Sequence, residues 1–356
     1  MPKVSVIIPI YNVEKYLRQA LDSVVNQTLK DIEIVCIEDC STDNSCAILD
    51  EYAQKDDRFV VIKHTENKGI GITRNEALNA VKGEYVIFVD PDDWVELETC
   101  EKAYNQISKN GDDVLFFNSK TIDEKGNIKD INKKLEAYSE HLDGKTFSLK
   151  EIKDNFVIKK LACWTKMYDM EFLRRNNIVF QKFRRGEDFL FAAKVYLYAE
   201  KVSVLNLPLY NYRDVLPVYV NKEMCNLEDT YIALKDSYEL VKQTPNNSYI
   251  LKYFSVCYID YVISRYINMS KLCKYDQQVQ LYNLSKDFIK YINKELNLKD
   301  YYKEIDIIQY LCFLAFPKAF IYNFIVSFIY SDHGHIVFNL GFMKLKIRIF
   351  NTKRKR

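Results

Sequence analysis

Three carboxylates, Asp90, Asp92 and Asp93, close the apolar segment Gly83-Glu-Tyr-Val-Ile-Phe-Val-Asp90-Pro91-Asp92-Asp93-Trp94. Like charge this concentrated is unfavourable unless a cation or a proton offsets it. Oxygen-only donors suit a hard ion, Mg²⁺ or Mn²⁺, and one or two protein carboxylates suffice when substrate phosphates complete the octahedron. A second acidic pair, Glu187-Asp188, opens a segment with apolar residues at helical spacing (Phe189, Leu190, Ala192, Ala193, Val195). A carboxylate there can act as a general base, or can simply be the acidic charge that a helix N-terminus favours. Arg74 follows Gly69-Ile-Gly71 into another helical segment, where its guanidinium can meet phosphate oxygens. Asp39 ends a β-branched run, either as a ligand contact or as a turn residue capping its own loop.

These residues need a scaffold that brings them together. Val4–Ile8, Ile32–Ile37, Phe59–Ile62 and Tyr85–Val89 are apolar runs suited to strands buried on both faces. Between them, Tyr16, Leu17, Ala20, Leu21, Val24 and Val25, then Cys46, Ile48, Leu49 and Tyr52, then Ala77, Leu78 and Val81 recur at helical spacing, with Thr42 and Asp43 as candidate caps of the second helix. The alternation predicts βαβ units and a three-layer α/β domain with a mostly parallel sheet. Loops 39–44, 67–71 and 90–93 each follow a strand, so they should converge on one crevice at the strands' carboxyl ends.

The 356 residues suggest two or three domains. After about residue 100 the alternation loosens through a strand at Val114–Asn118, a polar excursion from Thr121 to Lys145 and a strand at Val202–Leu205. After about 216, Tyr, Leu and Ile at helical spacing predict a helical region. The boundaries are therefore 1–215, with a change of character at about 100, and 216–356. Lys plus Arg number 51 against 49 for Asp plus Glu, which gives no case for nucleic acid. The final thirteen residues, Lys344–Arg356, carry seven basic and no acidic side chains. Nine cysteines without a CxxC pair argue for reduced thiols, and the N-terminus lacks a signal-peptide pattern, so an intracellular protein is expected. There is no P-loop lysine motif, GxGxxG or Gly-x-Ser-x-Gly elbow, which removes the main supports for kinase, dehydrogenase and hydrolase readings.

Four segments occur in order: Lys3-Val-Ser-Val-Ile-Ile-Pro9-Ile-Tyr11-Asn12, Glu33-Ile-Val-Cys-Ile-Glu38-Asp39-Cys40-Ser41-Thr42-Asp43, Asn67-Lys-Gly69-Ile-Gly71-Ile-Thr73-Arg74-Asn75, and the Asp90 loop. Together they resemble the family-2 glycosyltransferases of the GT-A fold. The match continues more thinly through Trp164-Thr-Lys166-Met-Tyr168 and Arg185-Gly186-Glu187-Asp188. The resemblance implies a GT-A nucleotide-sugar domain over 1–215, with a nucleotide-sugar-binding half over 1–100 and an acceptor half over 101–215. Pro9 and Tyr11 would border the nucleotide base, Asp39 would hydrogen-bond it, and Asn67, Gly69 and Arg74 would face the diphosphate. Asp92 would bind Mn²⁺ or Mg²⁺ directly, and Asp90 would contact the ribose or the metal shell. Asp93, Trp164, Lys166 and Glu187 would lie on the acceptor side, and Asp188 would be the base of an inverting transfer.

The pattern has departures: Cys40 stands where the family commonly has Gly, Thr73 where it has Ala, and Tyr210-Asn-Tyr-Arg213 leads into Asp-Val-Leu-Pro217 in place of a polar closing loop. In the C-terminal region, Tyr310–Tyr330 holds seventeen apolar residues of twenty-one, interrupted by Pro317 and Lys318, and reads as buried or interfacial helices rather than a membrane span. The basic tail, in which Lys344-Leu-Lys-Ile-Arg-Ile alternates basic and apolar residues, is a candidate anchor to an anionic membrane surface, the alternatives being a solvated tail or an edge strand. The expectation is a glycosyltransferase moving a sugar, from a UDP-sugar by preference, to a hydroxyl of a bacterial surface glycan or glycolipid. It would be peripheral at the inner face of the cytoplasmic membrane, with a possible homo-oligomer surface on the aromatic-rich helices. Two alternatives compete. A sugar nucleotidyltransferase would need a Gly-rich triphosphate loop near the first strand, which Ile10-Tyr-Asn-Val-Glu14 is not. A catalytically silent sugar-binding scaffold would not need Asp92 and Asp188.

Overall fold

The computed structural model describes residues 1–131, 142–149, 161–214 and 227–245, isolated positions at 250, 251, 254 and 258, and strand backbone within 330–348. The chain divides into two compact units, one of Met1–Val218 with Glu228–Phe254, the other of Tyr219–Leu227 with Ser255–Arg356.

The first unit is built on a mixed sheet. β1 (Val4–Ile10), β2 (Ile32–Glu38), β3 (Phe59–Lys63) and β4 (Tyr85–Phe88) are parallel, in the order β3-β2-β1-β4. All residues of β1, β2 and β4 are buried, whereas β3, at the sheet edge, is half-buried. Continuous β-branched runs suit just this environment, since both faces meet helices. Pro9 is tolerated in a central strand because the pairing of β1 with β4 ends at Ile7↔Phe88, leaving Pro9 paired only to Ile37 of β2.

Beyond β4 the sheet turns mixed. β6 (Val114–Asp123) and β10 (Val202–Asp214) run parallel, and β9 (Lys166–Asp169) lies antiparallel between β4 and β6. β5 (Trp94–Val95) pairs with β10, β7 (Ile128–Ile131) with β6 and β8 (Thr146–Phe147) with β10. The first strand of this half runs to Asp123, and the polar excursion contains β7, both longer than the apolar pattern indicates. The reason is pairing: β6 continues along the far half of β10 past a register shift at Pro208.

Helices cover the faces. α1 (Glu14–Val25) buries Leu17, Ala20, Leu21 and Val24, α2 (Ser45–Ala53) buries Ile48 and Leu49, and α3 (Ile70–Ala80) buries Ala77 and Leu78. α4 (Thr99–Asn110) stops at Gly111, whose φ of 62° is the left-handed cap that glycine adopts without strain. α5 (Met170–Arg175) starts where the Asp169 side chain accepts the Phe172 N–H, and α6 (Asp188–Tyr198) is buried along most of its length. α7 (Leu227–Gln243) buries Ala233, Leu234, Tyr238 and Val241.

In the second unit the described backbone is a three-stranded antiparallel sheet of β11 (Tyr330–Asp332), β12 (His335–Leu340) and β13 (Met343–Arg348). The expected helical region therefore does not extend to 330–348. The alternation Lys344-Leu-Lys-Ile-Arg-Ile is a period-two pattern, which favours a strand over a helix. Residues 310–329 lie outside the described set. Among the described residues no helix is long and apolar enough to cross a membrane.

Candidate active site

The chain builds β1, β2 and β3 outward in one direction, then returns to place β4 on the other side of β1. Strand order reverses there, which opens a crevice at the carboxyl ends of β1 and β4. Tyr11 stands at the end of β1, 41% exposed. Its loop is laced to the next one: Asn12 N–H donates to Ser41 Oγ, Thr42 N–H donates to Asn12 Oδ1, and Glu14 N–H donates to Asp43. Glu14 in turn accepts the Asn44 N–H, so each helix N-terminus receives a carboxylate from the other's loop. Pro9 is buried within β1 and reaches the crevice only through the backbone that positions Tyr11.

Asp39, buried at the end of β2, organises the third loop. Its Oδ1 accepts the Lys68 N–H at 2.8 Å and lies 2.6 Å from His64 Nδ1; its Oδ2 accepts from Asn67 Nδ2 at 3.0 Å and from the Gly69 N–H at 2.9 Å. Glu76 of α3 lies 2.7 Å from His64 Nε2. Asp39 therefore holds the loop with both oxygens, and Asn67 faces Asp39 on one side and Arg184 on the other. Gly69 adopts φ 87°, which only glycine takes at no cost, and its N–H can then reach Asp39. Gly71 has no room for any side chain: a Cβ there would lie 2.0 Å from the Gln181 carbonyl oxygen.

Loop 67–71 and segment 181–187 thus pack directly on each other, and Arg74 joins them to the acidic loop. The Arg74 side chain is 3% exposed at the residue level and donates to Asp90 Oδ1 at 2.7 Å and to Glu187 Oε1 at 2.5 Å. Its guanidinium lies 5.3 Å from the centroid of Phe180, within a cluster where Phe180 stacks on Phe191 at 4.2 Å and meets Phe88 edge-on at 5.2 Å. Arg74 Nε has no hydrogen-bond partner among the described residues. A buried guanidinium between two carboxylates is a fixed strut, since removing either partner strands the charge.

The three acids after β4 have separate fates. Asp90 gives Oδ1 to Arg74. Asp93, expected on the acceptor side, is 1% exposed: Oδ2 accepts the Tyr210 hydroxyl at 2.8 Å and Oδ1 accepts the Arg213 N–H at 2.7 Å. Tyr210 also accepts the Asp90 N–H, so one hydroxyl spans both ends of the loop. Asp93 is a tie between the loop and β10, with no edge left for an acceptor; burial raises its carboxyl well above the usual range. Asp92 is half-buried, and no other described residue donates a hydrogen bond to its carboxylate. Burial and then Asp90 push it up to about 6. Arg213 donates from Nε to the Asp92 carbonyl, lies between the rings of Tyr16 and Trp94 and so fixes the loop's outer edge.

Glu187 and Asp188 meet the loop from the other side. Glu187 is bound to Arg74 and is turned inward, which corrects its acceptor-side expectation. Asp188 begins α6, half-buried, and no other described residue donates a hydrogen bond to its side chain. Burial raises it, while Arg74 and Lys166 oppose the rise. Lys166 is corrected too: it is 1% exposed, donates to the Ala162 carbonyl at 2.5 Å, and burial pushes it down to about 7. Its charge acts on Asp188 from inside the protein. Trp164 is half-buried and stacks on Tyr210 and Tyr212.

The residues of 1–100 named from the sequence gather at one end of the sheet, and Arg74 brings 187–188 to them. His64 and Glu76 escaped the sequence reading, which noted Tyr210 and Arg213 only as part of a departure from the family pattern. His64 is one of four histidines in the chain, and nothing in its neighbourhood marks its two carboxylate partners. Among the described residues no group of three or more His, Cys, Asp or Glu could hold a metal unaided. The donor set does fit a hard cation shared with ligand oxygens: Asp92 is available, raised by burial and by Asp90, and Asp90 keeps one oxygen.

Residues 5–176 match the family model "Glycosyl transferase family 2". The chain is 36% identical over 214 residues to glycosyltransferase GlyA of Streptococcus pneumoniae serotype 4, covering 59% of this chain and 30% of that one. It is 32% identical over 222 residues to glycosyltransferase GlyG of the same organism, covering 59% and 70%. The crystal structure of Staphylococcus aureus TarS 1–349 in complex with UDP-GlcNAc superimposes with a TM-score of 0.68 at 25% identity, covering 97% of this chain and 99% of that one. The chain spans less than a third of GlyA's length and most of GlyG's. It belongs to glycosyl transferase family 2 and has the GT-A fold.

Proposed function

We propose that the crevice at the ends of β1 and β4 binds a UDP-sugar and transfers the sugar, with inversion, to a hydroxyl of a surface glycan or glycolipid. The observation that carries this reading is Arg74 between Asp90 and Glu187, which ties the loop that carries Asp92 to the helix start that carries Asp188, two carboxylates to which no other described residue donates. TarS, the structural relative above, was crystallised with UDP-GlcNAc, and its curated description is poly(ribitol-phosphate) beta-N-acetylglucosaminyltransferase. These support a UDP-linked hexose or N-acetylhexosamine as donor.

Tyr11 offers a ring face to the base. Asp39, Asn67 and Gly69 hold the loop that lines the donor, and Arg74, whose two terminal nitrogens are held by Asp90 and Glu187, fixes that loop against the acidic one. Asp92, with Asp90, would hold Mn²⁺ or Mg²⁺. When bound, such an ion would supply charge to the departing diphosphate. Asp188 accepts the proton of the attacking hydroxyl; its burial raises its basicity, and Lys166 and Arg74 stabilise its ionised form. The Glu187–Arg74 contact keeps the adjacent Asp188 in register with the acidic loop.

We also infer that Lys344–Arg356 holds the protein peripherally to anionic lipid at the inner face of the cytoplasmic membrane. Its deletion should move protein to the soluble fraction at low salt; unchanged partitioning rejects the anchor. The donor reading is tested by thermal shift against UDP, GDP, CDP and dTDP with Mn²⁺, Mg²⁺ or EDTA, on wild type and Asp92→Ala. UDP with metal should raise the melting temperature of wild type only, since native-state ligands stabilise by mass action. No shift with any nucleotide rejects it.

A further inference from the structure

β10 carries a feature that donor chemistry does not use. Tyr210 and Tyr212 alternate onto the same face of the strand. Trp164, from the turn before β9, stacks on both, at 4.5 Å and 26° to Tyr210 and at 5.5 Å and 7° to Tyr212. The inner end of this stack is fixed, because the buried Tyr210 hydroxyl accepts the Asp90 N–H and donates to Asp93. The outer end is open. Tyr212 is 40% exposed, and its hydroxyl has no partner among the described residues.

Both flanks of the stack lead to reacting groups. Trp164 lies between Cys163 and Lys166, and the Asp188 carboxylate acts on both. Tyr212 adjoins Arg213, whose N–H meets Asp93 and whose Nε meets the Asp92 carbonyl. The stack thus lies against the acidic loop through Tyr210 and Arg213, and the chain neighbours of Trp164 feel the Asp188 carboxylate.

Resting on the reading above, we propose that the open face of the Trp164–Tyr212 stack is the acceptor subsite, and that it takes an uncharged pyranose ring rather than a phosphate-linked polyol. A pyranose presents a flat face of C–H groups, which an aromatic plane desolvates while the sugar's hydroxyls stay at the rim. A polyol phosphate has no such face and brings a negative charge with each unit. The cations around the stack are already engaged: Arg213 with Asp92, Gln19 and two rings, Lys120 with Glu96, Lys129 with Asp214.

The experiment is saturation-transfer NMR on the full chain with UDP and Mg²⁺, titrated with methyl β-glucopyranoside, methyl N-acetyl-β-glucosaminide or ribitol 5-phosphate. UDP and the probe are read in the same tube, on wild type, Tyr212→Phe, Tyr212→Leu and Tyr212→Ala. The pyranoside ring protons should saturate in wild type and Tyr212→Phe, and bind roughly three- to tenfold more weakly in Tyr212→Leu and Tyr212→Ala, as loss of one aromatic stack predicts. UDP should saturate equally in all four, which certifies folding. Pyranoside signals indifferent to Tyr212→Ala, absent pyranoside signals with UDP bound, or a stronger response to ribitol 5-phosphate overturn the subsite. Saturation of a pyranoside without any UDP signal would instead overturn the donor reading and uphold the subsite.

Discussion

Arg74 on α3 and Glu187 at the start of α6, 113 residues apart in the chain, meet at 2.5 Å, and the same guanidinium reaches Asp90 at 2.7 Å. One buried side chain therefore fixes the distance between the acidic loop and the candidate base. The desolvation cost of the ion is offset only while both carboxylates stay in place.

Arg74→Lys keeps the charge and loses the fork. An ammonium cannot serve two carboxylates with the same geometry, so the substitution should cost about 2–4 kcal/mol of stability. It should also weaken UDP binding by at least tenfold. Urea denaturation and UDP titration measure both, and a variant with wild-type midpoint and affinity would show that the strut is dispensable.

Asp92 should trade stability for function. Its carboxyl is raised to about 6 against an unfolded value near 3.8. Between those values the native state binds the proton more tightly than the unfolded chain, so ligand-free stability falls as pH rises from about 4 to 6 and stays reduced above. Asp92→Asn removes that penalty and should stabilise the ligand-free protein at pH 7 by about 1–2 kcal/mol, after allowance for the side chain's partial exposure. The same variant should lose the melting-temperature rise from UDP with Mn²⁺. A destabilised Asp92→Asn would mean that Asp92 has a counter-charge in the ligand-free protein.

Much of this site was legible before the fold was known, and the limits have a physical cause. The β-branched runs of β1, β2 and β4 read as buried strands because burial on both faces leaves no polar alternation to confuse the pattern. Loops 39–44, 67–71 and 90–93 then followed from chain order alone. Which of two neighbouring acids turns inward could not be read in the same way. Asp92 and Asp93 differ only in what β10 brings to them, and Tyr210 lies 117 residues away. Lys166 and Glu187 were misplaced for the same reason: a charged side chain reads as exposed until its buried partner is known. A strand in the tail was one of the alternatives that the alternation at Lys344 left open, whereas β11 and β12 were not read, because aromatic residues at helical spacing dominate the region before them.

Cys40 occupies a position with φ 61°, the left-handed region that glycine adopts freely and a β-carbon resists. Its thiol contributes one weak contact to the Thr65 carbonyl at 3.6 Å. Cys40→Gly should therefore raise stability by about 0.5–1 kcal/mol, the strain relieved less the entropy that glycine adds to the unfolded chain. UDP affinity should stay unchanged, since the Asp39 contacts use no Cys40 atom. Thermal unfolding measures the gain, and a lower melting temperature would mean that the sulfur contact outweighs the strain.

Asp188 carries the catalytic prediction. Asp188→Asn keeps the shape and removes the base, so transfer should fall by about 10²–10⁴-fold, the range for loss of a positioned general base. UDP affinity should change less than threefold, because Asp188 touches neither Asp92 nor the loop that Asp39 organises. Burial raises the Asp188 carboxyl, so kcat/KM of the wild type should rise with pH along an acid limb displaced above the ordinary carboxylate range. Glu187→Gln should retain that limb, because it leaves the Asp188 carboxylate in place, even where it lowers the melting temperature by weakening the Arg74 strut. Rates measured from pH 4 to 9 on the three proteins separate the roles. Loss of the limb in Glu187→Gln with its retention in Asp188→Asn would move the base to Glu187, and a large loss of UDP binding in Asp188→Asn would move Asp188 to the donor side.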